Sequence, residues 1–276
     1  MIPPQSARRR IIELDPVLHE PVVRDMREDE RHLYYFGEAV GLLLFQPWYY
    51  CISAAGHACN AATYDFPVRL KFVSDPFDPV GFHESSAEWK GFNLPNWIQS
   101  AQELQEEGVR AIVCGCGLTG IIQKEMSAAV EIPVYTSSML FVPEIHATVA
   151  NGKRVGILTV SRDQLVGHDR ALFEGCDIDD DIPIAIAGMN ESKAADIWLT
   201  MTTDNFDKAE VEGAVVDTAC RLVNDYPDIG ALVLECTDMP QYSQAIRTRT
   251  GLPVFDAVDM VNRVHMSVKD PVEDQS

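Results

Sequence analysis

From residue 38 onward the chain alternates short apolar runs with amphipathic stretches. Gly41, Leu42, Leu43, Leu44 and Phe45 form the first run, and Val68, Leu70 and Phe72 interleave with Arg69 and Lys71 at a period of two. Both read as strands. Trp97, Ile98, Ala101, Leu104 and Gln105 keep helical spacing until Gly108, which predicts a helix with a glycine stop. Strands are then predicted at 111–114 and 134–135, and helices at 120–130 and 139–150. After the turn at Asn151, Gly152 and Lys153 the pattern restarts. Strands are expected at 154–160, 182–187, 231–234 and 253–255, with helices at 165–173, 206–226, 241–249 and a last one through Val264. Strands alternating with helices across short turns predict parallel sheets.

The two halves share a register. Ala111, Val113, Cys116, Pro133 and Val134 are matched 120 positions later by Ala231, Val233, Cys236, Pro253 and Val254, without a gap. Such self-similarity predicts two α/β halves facing each other. Each cysteine falls just past a buried strand and ahead of a helix. Ligands of open parallel sheets bind at that end of the strands.

Residues 1–37 differ in texture and read as an extension rich in proline and charge. The polar run through Arg24, Asp25, Arg27, Glu28, Asp29, Glu30 and Arg31 is a solvated segment. A short helix there, packed on a neighbouring subunit, would make the protein a homo-oligomer. The divisions that follow are an extension at 1–37, a first lobe at 38–150, a second lobe at 151–255, and a C-terminal helix and tail at 256–276 that could pack back on the first lobe.

Composition narrows the function classes. Twenty more acidic than basic side chains give a formal charge of -20, which argues against nucleic acid and anionic membrane surfaces as partners. No apolar run is long enough to span a bilayer. Seven cysteines and a beginning without a secretory pattern predict free thiols in a reducing, cytoplasmic compartment. Amides that open the helix after Cys116 and Cys236 should favour negative charge and lower each thiol's pKa. Gly117 and Gly120 permit close approach of a ligand to the backbone, and Thr237 adds a hydroxyl.

The segments Ile112-Val113-Cys114-Gly115-Cys116-Gly117-Leu118, Pro133-Val134-Tyr135-Thr136-Ser137-Ser138, Val155-Gly156-Ile157-Leu158-Thr159 and Leu234-Glu235-Cys236-Thr237-Asp238 together resemble the aspartate/glutamate/hydantoin racemase superfamily. That superfamily also holds maleate isomerases and arylmalonate decarboxylases. The likeness runs over roughly residues 38–265. It implies two pseudo-symmetric Rossmann-like lobes with parallel sheets and an active-site cleft between them, and chemistry without a cofactor. On this chain Cys116 and Cys236 would be the acid/base pair, one a thiolate and the other protonated. Backbone amides of Gly117, Leu118 and Thr237, with the side chains of Asn60, Thr136, Ser137 and Thr237, would hold a carboxylate and the enolate-like charge beside it. The expected reaction is racemisation, epimerisation or isomerisation at the carbon next to the carboxylate of a small molecule such as an amino acid. Decarboxylation or another lyase reaction on the same scaffold is the alternative, and a non-catalytic binding protein a more distant one. The sequence departs from the pattern where Ala55-Gly56-His57-Ala58-Cys59-Asn60 stands in place of a Pro-Gly-Asp-like segment, behind the aromatic residues Trp48, Tyr49 and Tyr50. This bears on recognition of a substrate ammonium.

Two other sites are weaker. Cys51, His57, Cys59, Cys114 and Cys116 lack zinc-module spacing, so no metal is expected, and His57 is expected to be a loop residue in contact with substrate or solvent. The glycines around Cys116 do not complete a dinucleotide loop, and Tyr135 and Thr136 stand where an acidic residue would be needed.

Overall fold

The computed structural model describes residues 10–14, 21–25, 38–45, 55–74, 93–150, 152–167, 169–191 and 207–269. Trp48, Tyr49, Tyr50 and Cys51, and most of the loop anticipated at 75–95, lie outside them. The valine-, isoleucine- and leucine-rich runs form two parallel four-stranded sheets. The first comprises β3 (Val40–Phe45), β4 (Val68–Val73), β5 (Ala111–Cys114) and β6 (Val134–Tyr135), in the order β4-β3-β5-β6. The second comprises β7 (Arg154–Thr159), β8 (Ile184–Gly188), β9 (Ile229–Leu234) and β10 (Val254–Phe255), in the order β10-β9-β7-β8. Counted within its own lobe, each sheet runs second, first, third, fourth. The internal repeat is therefore a repeat of topology, with β5 equivalent to β9. Near-continuous apolar strands of this kind need cover on both faces.

Helices supply that cover. Helix α1 (Leu94–Glu107) buries Trp97, Ala101 and Leu104 and stops at Gly108, whose φ of 100° lets its amide reach back to Leu104 and Gln105 carbonyls. Helix α2 (Gln123–Ala129) follows a 3-10 turn over Gly117–Ile122, so the predicted helix begins with a tighter coil. Helix α3 (Phe141–Thr148) comes next. The predicted helix at 165–173 is two short helices, α4 (Arg162–Gly167) and α5 (Asp169–Gly175). Helix α6 (Lys208–Asp225) is capped by the Asp207 carboxylate on the amides of Ala209 and Glu210. Helix α7 (Ser243–Thr250) and the capping-box helix α8 (Ala257–Val268) complete the order. In the N-terminal extension, β1 (Arg10–Leu14) pairs antiparallel with β2 (Pro21–Asp25). Arg24 and Asp25, the first two residues of the charged run, end this strand.

Two helices are exchanged between the lobes. Helix α3 leaves the last strand of the first sheet and packs on β7 and β9, while α8 leaves the last strand of the second sheet and packs on β3 and β5. Their apolar residues (Val142 and Ile145, Val261 and Val264) join Leu42, Val113, Ile157 and Val233 in one buried cluster. Arg263 of α8 pairs with Glu144 of α3 across the junction. Among the described residues no helix is long and apolar enough to cross a membrane.

Candidate active site

The ends of β5 and β9 meet where the lobes join. Thr237, just past β9, donates its hydroxyl to the Gly115 carbonyl just past β5 (3.0 Å) and accepts the Ala58 amide at its own carbonyl (3.3 Å). Ser138, past β6, donates to the Leu234 carbonyl at the end of β9 (2.7 Å). These reciprocal bonds bring the segments that carry Cys116 and Cys236 together. Both thiols are partly exposed, and Cys116 acts electrostatically on Cys236. The amide two residues ahead favours the ionised form of each, Leu118 for Cys116 and Asp238 for Cys236.

Those amides act in the expected direction but are outweighed, so neither thiol falls below the ordinary range as expected from sequence. Burial, then Glu235, then Asp238 and Cys59 push Cys116 well above the ordinary thiol range, against the Leu118 amide. Burial, Asp238, Glu235 and Cys116 do the same to Cys236. Desolvation of a negative charge beside two carboxylates outweighs one amide dipole. Cys114 points elsewhere. It is buried among Trp97, Ile112 and Met126, where desolvation raises it to about 12.

The other anticipated residues have varied hydrogen-bonding commitments. Gly117 and Leu118 are buried in the 3-10 turn that Cys116 begins. A β-carbon at Gly117 would collide with the Glu235 backbone carbonyl and carboxylate, so glycine is required for contact between the lobes. Asn60 accepts the Ala62 amide at its side-chain oxygen (2.8 Å), capping a 3-10 turn. Thr136 is fully buried, with its hydroxyl and amide on the Gln123 side-chain oxygen (2.6 and 2.9 Å) and its carbonyl accepting from Thr119 (2.5 Å). Ser137 is also buried and caps the next turn by accepting the Met139 amide (3.1 Å).

Two participants, Glu235 and Asp238, were not anticipated from sequence, and His57 takes a role different from the one expected. Glu235 is 4% exposed, accepts the Thr159 hydroxyl (2.8 Å), and is raised by burial to about 7. A charged residue closing an otherwise apolar strand was the available signal. His57 and Asp238 form the second acidic element. The Cys59 amide donates to His57 Nδ1 (2.9 Å), leaving the ring proton on Nε2, which donates it to Asp238 Oδ1. His57 is therefore a buried tie between lobes, where a substrate- or solvent-facing loop residue was expected. Among the described residues no group of three or more His, Cys, Asp or Glu is arranged to hold a metal ion.

Comparison with known proteins gives a consistent scaffold and divergent activities. The sequence pattern of the Asp/Glu/Hydantoin racemase family matches residues 68–263. A dimethylsulfoniopropionate lyase of Durusdinium sp. clade D is 28% identical over 155 residues, covering 56% of this chain and 51% of that protein. Dimethylsulfoniopropionate lyase 2 of Emiliania huxleyi is 25% identical over 241 residues, covering 71% and 67%. The chain spans about half the length of the first of these curated relatives. Among solved structures, an aspartate racemase of Picrophilus torridus superposes with a TM-score of 0.53 at 16% identity, over 84% of this chain and 94% of that one. An arylmalonate decarboxylase superposes with a TM-score of 0.51 at 15% identity, over 85% and 94%. These structural likenesses carry the fold alone.

Proposed function

The chain belongs to the Asp/Glu/hydantoin racemase family, and from that premise we propose that it is a cofactor-independent enzyme in which Cys116 and Cys236 move protons at the carbon beside a carboxylate. The observation that carries this reading is the matched pair of thiols, one past β5 and one past β9, in segments joined by the Thr237–Gly115 and Ser138–Leu234 hydrogen bonds. The substrate carboxylate would lie against the amides of Gly117, Leu118 and Thr237, with Asn60 and Ser137 as further polar lining and Thr136 fixing the loop through Gln123. Donors held in place before the reaction would stabilise enolate-like charge as it develops.

Elimination is the favoured outcome. One thiolate takes the proton from the carbon next to the carboxylate. That bond's electron pair forms the new double bond, and the bond to a leaving group on the next carbon breaks with its own pair. The curated relatives, which are dimethylsulfoniopropionate lyases, support it; from that compound the products would be dimethyl sulfide and acrylate. The local charge supports it too: Glu235 and Asp238 act on both thiols, an environment that suits a cationic leaving group. Racemisation is the second reading, favoured by the placement of one thiol in each lobe, which would let one remove and the other return a proton.

Incubation with dimethylsulfoniopropionate and with a panel of amino acids in deuterated solvent separates the two. Release of dimethyl sulfide that is lost when one of the two thiols, Cys116 or Cys236, is replaced by serine supports elimination. Deuterium incorporation next to the carboxylate without release supports racemisation. Activity that survives both substitutions rejects the thiol mechanism.

A further inference from the structure

Cys236 opens a turn that the Met239 amide closes on the Cys236 carbonyl (3.1 Å), and Cys116 opens its counterpart in the first copy of the repeat, closed by the Thr119 amide on the Cys116 carbonyl (3.2 Å). The two turns differ at their third residue. Leu118 in the first is a hydrocarbon held in the buried cluster. Asp238 in the second accepts from Nε2 of His57, a residue of the first lobe that is 1% exposed. The Ala58 amide adds a bond to the Thr237 carbonyl (3.3 Å), so consecutive residues of a first-lobe loop hold consecutive residues of the Cys236 turn. That loop is itself fixed. The Cys59 amide orients the His57 ring at Nδ1 (2.9 Å), the His57 carbonyl accepts from the Thr63 hydroxyl (2.7 Å) and the Asn60 amide (3.1 Å), and the Tyr64 hydroxyl donates to the Ala58 carbonyl (2.6 Å).

We propose that His57 is a positioning residue for Cys236 and not for Cys116: through Asp238 it pins the turn that Cys236 opens, and so sets the place of that thiol against the first lobe. The repeat makes the two turns alike in backbone, but Leu118 has no polar atom through which the Cys116 turn could be tied in the same way. A hydrogen bond to a carboxylate is stronger than one between neutral groups, and burial strengthens it further. Misplacing a reacting group by about 1 Å can cost about 100-fold in rate, so a side chain acting through Asp238 bears on turnover. That consequence rests on the reading of Cys236 as an acid/base thiol, whereas the placement of its sulfur does not.

The test compares two substitutions in the full chain. His57→Gln keeps an N–H donor at the reach of Nε2, whereas His57→Asn keeps only an acceptor near the place of Nδ1, so the first retains the bond to Asp238 and the second loses it. Alkylation by iodoacetamide, quantified at Cys236 and at Cys116 by tandem mass spectrometry, reads each thiol separately. His57→Asn should raise the rate at Cys236 by at least about threefold, as local opening exposes the sulfur, with Cys116 within about twofold of the parent. Both thiols should stay near the parent in His57→Gln. If His57→Asn does not fold, Asp238→Leu gives the second turn the residue of the first and should produce the same selective rise. An unchanged or lower rate at Cys236, an equal rise at Cys116, or no recovery in His57→Gln overturns the proposal. Turnover answers separately: kcat for dimethyl sulfide release or deuterium incorporation should fall about tenfold or more in His57→Asn and recover in His57→Gln, with KM changed less. A selective rise in alkylation without a fall in kcat keeps the positioning of the sulfur and rejects its part in the reaction.

Discussion

Nε2 of His57 donates to Oδ1 of Asp238 although the two residues lie 181 positions apart and belong to opposite lobes. The Cys59 amide fixes the tautomer that makes this possible. His57→Ala would leave a mostly buried carboxylate without this donor. A loss of about 1.5–3 kcal/mol is expected, the size of a hydrogen bond to a charged group. Urea unfolding measures it, and an unchanged midpoint would mean the pair does not hold the lobes.

At least one of Cys116→Ser and Cys236→Ser should reduce turnover by about 100-fold or more, the lower range for loss of a positioned acid or base. The comparison between them carries the mechanism. Racemisation needs both thiols, whereas elimination removes one proton from one face, so one variant should then be markedly less impaired. Separate kcat and KM values for the two variants decide this.

Gly117→Ala forces a methyl group onto the Glu235 carbonyl and carboxylate. Overpacking of this kind costs about 1–3 kcal/mol, and here the relief would come from parting the thiol-bearing segments. A lower Tm together with a larger loss of kcat than of stability is expected. Gly213 of α6 has no atom within 4 Å of an added β-carbon, so Gly213→Ala should raise stability by about 0.5–1 kcal/mol.

Glu235 leaves a mark on stability against pH. Burial raises it from 4.5 to about 7 in the folded chain. Between those values the folded state binds more protons than the unfolded state, so stability falls as pH rises through the window. Asp259, raised by burial and by Asp256 from 3.8 to about 6, acts in the same direction over a lower range. Glu235→Gln should flatten the decline between about pH 5 and 7, read from urea midpoints at each pH. An equally steep decline in the variant would contradict the raised carboxyl.

The parts of this structure carried by local periodicity were legible in the sequence. The alternation of apolar runs with amphipathic stretches located eight parallel strands, and the 120-residue register distinguished Cys116 from Cys114 before any contact was known. What escaped depends on residues distant in the chain. His57 has no local pattern that names Asp238 as its partner. Glu235 was visible as an acid at the end of an apolar strand, yet its burial arises only when Gly117 of the other lobe closes over it. The thiol pKa direction was misjudged for the same reason: the amide dipoles are local and readable, while desolvation and two converging carboxylates are products of the fold. The 3-10 turns after Cys116 and Ser137 also depart from the smooth helices that spacing predicted.

The exchange of α3 and α8 decides what kind of machine this is. Each half of the chain surrenders its last helix to the other, so a cut at the repeat boundary would strip both sheets of cover. The lobes are therefore not a pair of jaws on a hinge. The spacing between the two sulfurs is fixed by the same interdigitated side chains that hold the protein together, and altering that spacing requires repacking its interior.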